Sequence, residues 1–195
     1  MTLTDSLNQI LEWHRRNNTP ASRLLQPGLS EDEIMSKLQP LPFKVSRELV
    51  ELYSWRNGTA VGEEGEDTSF FEIHRFLPLN EAVSNFQEVH PEEKDSDELS
   101  NWVQVFQDIT SDGYAVSGGP EMVDRSPVVL LMEGEVEKVF SSLAKMMETV
   151  AAAFRAGAMG WEDDEMETDF FAWAELARRI DPKIEYWRDY LEGDV

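Results

Sequence analysis

The sequence predicts an α+β protein: a single antiparallel sheet of about five strands with helices on one face, plus a C-terminal helical extension. Three observations carry this. Apolar residues recur at helical spacing near both ends of the chain. The middle holds short β-branched and aromatic runs bounded by turn signals such as Asp112-Gly113 and Glu133-Gly134. Most of those runs follow one another without a helix between, as antiparallel neighbours do. With no internal repeat, the 195 residues read as one domain, its core over about residues 30–156 and its extension over 157–195.

Taken in order, Leu7, Ile10, Leu11 and His14 share one face of an opening helix, with Thr2 or Thr4 as its cap. Residues 17–28 read as a loop carrying Pro20, Pro27 and Gly28. Ser30 and Glu33 form a capping box for a short helix with Ile34 and Leu38 inward. Ser46 is placed to cap a third helix through its hydroxyl, with Leu49, Leu52 and Tyr53 inward and Asn57-Gly58 as its stop. After the polar residues 62–67, Phe70 to Phe76 reads as an aromatic strand that Pro78 ends. Asn80 then caps a helix with Ala82, Val83, Phe86 and Val89 inward, ended by His90-Pro91.

Glu92 to Glu98 reads as a solvated loop. Trp102 to Phe106 and Tyr114 to Val116 form a hairpin about Asp112-Gly113. Val128 to Met132 is wholly apolar, as expected of a strand covered on both faces, and Val136 to Phe140 returns after Glu133-Gly134. Ser141 or Ser142 caps a strong helix through Phe154, stopped by Gly157. Glu162 to Glu165 complement the dipole of the following helix, which carries Phe170, Trp173, Ala174, Ala177 and Ile180. Asp181-Pro182 divides it from a last helix with Ile184, Trp187 and Leu191.

Composition narrows the function. The formal charge is -22, from 17 basic and 39 acidic residues. Such a surface repels nucleic-acid phosphates and anionic membranes, and it attracts and steers a basic partner. The absence of cysteine removes disulfides, thiol catalysis and thiolate metal sites, and suits a reducing cytoplasm. Met1 to Arg16 lacks the pattern of a signal peptide, and no stretch approaches the roughly 20 apolar residues of a membrane span. A cytoplasmic location is expected.

Catalytic signatures are missing. No serine sits in a Gly-x-Ser-x-Gly elbow, and His14, His74 and His90 lack metal-ligand spacing. His74, inside an aromatic run, reads as a core or interface residue. Asp108 to Gly119 departs from a calcium loop, with Thr110 at its third position and Gly119 at its twelfth. No metal or cofactor is expected. Paired carboxylates for a hydrolase remain an alternative, although no pair is singled out.

The order of motifs resembles the SUKH superfamily, typified by a eukaryotic cell-wall-synthesis regulator of the Smi/Knr type and by many bacterial toxin-immunity proteins. The resemblance is carried by Leu41-Pro42, a helix ending Glu51 to Thr59 with Asn57-Gly58, and Phe70 to Phe76 leading into Leu77-Pro78-Leu79-Asn80-Glu81-Ala82. It continues through Trp102 to Asp108, Asp112-Gly113-Tyr114, Pro127 to Met132, Gly134-Glu135-Val136 and Phe140-Ser141-Ser142-Leu143. Ala115-Val116-Ser117-Gly118 stands where the family often has an acidic residue, and the match ends near Phe154.

That resemblance implies a non-catalytic protein-binding module, foremost an immunity protein that neutralises a basic toxin by occluding its active site. A regulatory scaffold is the alternative it also implies. The residues expected to meet the partner are Trp55, Glu63, Glu64, Glu66 and Asp67, beside the Asn57-Gly58 turn. Glu92, Glu93, Asp95 and Asp97 form a second candidate surface. Trp55 also reads as a core residue closing its helix.

Overall fold

The computed structural model describes residues 1–89 and 101–193. It is a mixed α and β fold whose centre is a five-stranded antiparallel sheet. That sheet is a meander of β3 (Arg75–Phe76), β4 (Trp102–Gln107), β5 (Gly113–Ser117), β6 (Val128–Met132) and β7 (Glu135–Phe140), in sequence order. A short sheet pairs β1 (Leu25–Pro27) with β2 (Arg56–Thr59), and another pairs β8 (Met159–Glu162) with β9 (Glu165–Thr168).

α1 (Leu3–Arg16) buries Leu7, Ile10, Leu11 and His14, and Thr2 caps it in a reciprocal box with Asp5. It packs along α6 (Leu143–Ala156), whose cap is Ser142 and whose stop is Gly157 at φ 74°. The Ser30–Glu33 capping box starts α3 (Glu31–Leu38) as the sequence indicates.

Four local expectations are corrected. Residues 17–28 hold α2 (Pro20–Leu24) and β1 instead of a loop, because Pro20 fits the first turn of a helix and β2 offers β1 a partner. Ser46 occupies the cap position of α4 (Arg47–Trp55), yet its hydroxyl makes no capping bond and is buried without a partner. α5 (Leu79–Val89) starts before Asn80, and its Leu79 N–H donates 3.0 Å to Asn57 Oδ1 across the chain. β6 is covered only at its start: Val128 and Val129 are buried, whereas Met132 is exposed.

Gly58 does not simply end α4, which passes directly into β2. Its φ of 74° is left-handed, and a Cβ there would lie 2.3 Å from Pro78 N. Only glycine fits both the conformation and the approach of the next backbone.

The extension over 157–195 is not purely helical. Glu162 to Glu165 lie in the β8–β9 hairpin, with Asp163 and Asp164 at positive φ in its turn, so they are not the first turn of a helix. Asp169 alone caps α7 (Phe170–Ile180), accepting 3.0 Å from Ala172 N–H. α7 packs on α6, and α8 (Tyr186–Glu192) packs on α7 and β7. One continuous core runs from Leu3 to Trp187 and includes Trp173, so the C-terminal residues belong to it. The helix end expected at His90-Pro91 and the solvated loop of Glu92 to Glu98 lie outside the described residues, as do Glu92, Glu93, Asp95 and Asp97.

Candidate functional site

Phe70 to Phe76 is not a continuous strand. Phe70 and Phe71 are both buried, which breaks the alternation a half-exposed strand needs. The chain folds back instead. His74 N–H donates 2.9 Å to Phe71 O, Phe70 N–H donates 2.8 Å to His74 O, and Glu72 sits in the turn at φ 48°. The turn sends Ile73 outward, 55% exposed, and Glu72 inward, 2% exposed. β3 begins only after it.

Across the sheet, β5 brings Tyr114 beneath that turn. The Tyr114 hydroxyl donates 3.0 Å to Glu72 Oε2, and His74 Nδ1 lies 3.1 Å from the same oxygen. Glu72 Oε1 has no hydrogen-bond partner although it is buried. Burial, then the negative charge of Glu72 and its bond to the hydroxyl, push the Tyr114 phenol well above its ordinary value. Tyr114 therefore remains a proton donor at any working pH.

The trio lies against a cavity of about 350 Å³ whose lining includes Glu72, His74, Asp108, Asp112 and Tyr114. The C-terminal helices supply its aromatic wall: Phe170 and Trp173 from α7, and Tyr186, Trp187 and Tyr190 from α8. Trp187 is locked by a 2.6 Å bond from its indole to Val139 O, and Trp173 packs against Phe140 and Trp187. Tyr186 has its phenol raised by burial first, then by Tyr190, Glu137 and Glu72, so the charge of Glu72 is felt at that wall. Ile73, Met132, Phe170 and Tyr190 are exposed apolar residues on the same lining.

The sequence-predicted contact residues form a different place. Trp55 is half-buried at the end of α4, its indole donating 3.0 Å to Asn8 Oδ1, with the Arg56 guanidinium over its ring at 5.4 Å. Its ring packs against the main core. Glu63 and Glu64 are exposed on the loop before the Phe71–His74 turn. Glu66 pairs with Arg23 and accepts 3.1 Å from Glu63 N–H. Asp67 accepts 2.8 Å from Ser69 N–H and 2.9 Å from Met166 N–H, tying the loop to β9. Glu66 and Asp67 thus hold the loop in shape, leaving Glu63 and Glu64 to face outward. None of these residues lines the cavity.

Sequence reasoning missed the cavity. Its signal was present in two places: Glu72 is a charged residue inside an otherwise aromatic and aliphatic run, and Tyr186, Trp187 and Tyr190 crowd aromatics into a short acidic helix. Asp108, considered and rejected as a calcium ligand, accepts from Thr110 N–H and Asp112 N–H and so shapes the β4–β5 turn. Among the described residues no group of three His, Asp or Glu side chains is placed to hold a metal ion, and no helix is long and apolar enough to cross a membrane. No family model matches the chain, and no curated protein matches it.

Proposed function

We propose that this chain is a non-catalytic binding module for a basic protein partner, of the SUKH immunity type, which neutralises a toxin by covering its active site in the cytoplasm. The observation that carries this reading is an open cavity with aromatic walls and three carboxylates, on a chain whose net charge is -22. The charge would steer a basic partner, and the exposed apolar rim would give the encounter a desolvated centre. Glu63 and Glu64, with Trp55, Glu66 and Asp67 behind them, are proposed as an outer acidic contact. The helices are read as gathered on one face of the sheet. That is supported by Phe106, Tyr114, Val116 and Val128 entering the main core while Trp102, Ala115 and Val129 form a separate small cluster.

Chemistry at the cavity is poorly supported. Each of its three carboxylates has an oxygen engaged within the fold: Glu72 Oε2 accepts from Tyr114, Asp108 Oδ1 from the Thr110 and Asp112 N–H groups, and Asp112 Oδ1 from Glu133 N–H. Glu48, whose carboxyl is pushed up by burial, lies elsewhere, bound by Arg125 and by Ala144 N–H at the start of α6. A hydrolase is the weaker reading for these reasons. The regulatory scaffold keeps one observation in its favour: α7 and α8 pack onto the core and take up surface that an occluding face could otherwise use.

Affinity capture from the native cell's lysate, eluted by a salt gradient, tests the proposal. A single basic protein released as salt rises is the expected result. Several partners insensitive to salt would replace immunity by scaffolding, and no partner would remove the proposal.

A further inference from the structure

We infer that the cavity behind the Phe71–His74 turn receives one alkylammonium group, supplied by a lysine side chain of the basic partner. The inference rests on the reading of the chain as a module for such a partner and specifies what the module grips. Glu72, Asp108 and Asp112 all line the cavity, and no arginine or lysine lines it with them. His74, whose Nδ1 lies 3.1 Å from Glu72 Oε2, is the titratable nitrogen beside them, which leaves Asp108 and Asp112 without a cationic neighbour in the lining. Glu72 is 2% exposed, and its Oε1 has no partner. A buried carboxylate oxygen left in that condition is costly, and a positive charge held beside Glu72 offsets part of that cost.

The walls fit the same occupant. Tyr186 and Tyr190 line the space with Trp173 and Trp187 packed behind them, and aromatic rings attract cations, most strongly where water is excluded. The rim of Ile73, Met132 and Phe170 matches the methylene stem of a lysine, which prefers apolar surface along its length. A volume of about 350 Å³ admits such a side chain. Ammonium is favoured over guanidinium by the state of Glu72. Oε2 is taken by Tyr114 and faced by His74, so only one oxygen is free, whereas an arginine fork is matched by two. A metal ion is disfavoured because no three ligands converge among the described residues.

The test is calorimetric titration of the full chain with three probes: Nα-acetyl-lysine N-methylamide, its Nε-acetylated neutral counterpart, and n-butylammonium. The charged capped lysine should bind at least about tenfold tighter than the neutral one, the size expected for a charge-assisted contact. Glu72→Gln should remove that preference while leaving the neutral probe unchanged. Tyr190→Leu, at a partly exposed position that keeps its apolar bulk, should weaken the charged probe several-fold and not the neutral one, and it serves if Glu72→Gln does not fold. Equal binding of charged and neutral probes, or no binding of the charged probe, would overturn the inference. Binding of n-butylammonium without the capped lysine would replace the partner's side chain by a free amine, and so overturn the assignment to lysine. A captured basic protein that binds wild type and Glu72→Gln equally would remove the cavity's role while leaving the binding module standing.

Discussion

Trp173→Ala should lower stability by about 3–5 kcal/mol, the usual cost of truncating a fully buried large aromatic. Trp173 is 1% exposed, and its ring meets Phe140 of β7 at 6.1 Å and Trp187 of α8 at 6.0 Å between centroids. Removing it opens a void where α7, α8 and the sheet join, and the surrounding rings cannot close it without leaving their own contacts. Trp187 amplifies the effect, since its bond to Val139 O depends on α8 staying in place. Urea unfolding followed by far-ultraviolet circular dichroism checks this. A single transition at a lower midpoint, with unchanged slope, is expected. A loss below about 1 kcal/mol, or a separate early transition of the tail, would show that residues 157–193 are loosely docked and do not belong to the core.

The second large effect is a dependence of stability on pH that passes through His14. His14 is buried between α1 and the aromatic core, where its Nε2 lies 2.8 Å from Phe70 O and its Nδ1 lies 2.7 Å from Thr19 Oγ1. A carbonyl only accepts, so Nε2 carries the proton and Nδ1 accepts from the Thr19 hydroxyl; the ring is neutral and both nitrogens are satisfied. Burial pushes its pKa down to about 4, against a smaller opposing effect of the Phe70 carbonyl. The unfolded chain takes up the proton near its ordinary value of about 6.5. Stability is therefore complete above about pH 6.5 and is lost progressively as the pH falls towards 4, by about 3 kcal/mol in all. Between pH 7 and 4.5 the wild type should lose about 2 kcal/mol more than His14→Gln, because the carboxylates titrate alike in both. Parallel losses in the two proteins would show that His14 does not carry the effect.

Most of the helices were legible from the sequence because their signals are local. The Ser30–Glu33 box places α3, a cap at Thr2 or Thr4 places α1, with Thr2 serving in the fold, and the Leu143 to Phe154 periodicity with Gly157 delimits α6. The sheet meander followed from Asp112-Gly113 and Glu133-Gly134, where turn chemistry decides the connection. Long-range choices were not legible. Asn57 caps α5 from 22 residues away, and Ser46 stands at a cap without serving as one. The β1–β2 pair joins residues too distant in sequence for any window to link.

The cavity was illegible for a related reason. Aromatic content made Phe70 to Phe76 read as a strand, but burial of both Phe70 and Phe71 requires the turn that aims Glu72 inward. Its wall comes from helices more than 95 residues further along the chain, and only packing brings Tyr186 and Trp187 to Glu72. Charge was legible as a total, while its division between an outer loop and a buried carboxylate required the fold.

If acidity steers a basic protein onto this surface, the association rate of the captured partner depends on ionic strength. The association rate constant should fall at least about tenfold between roughly 20 and 300 mM salt, with a dissociation rate that changes far less. An association rate indifferent to salt would contradict that steering, and would leave the net charge of -22 without a part in recognition.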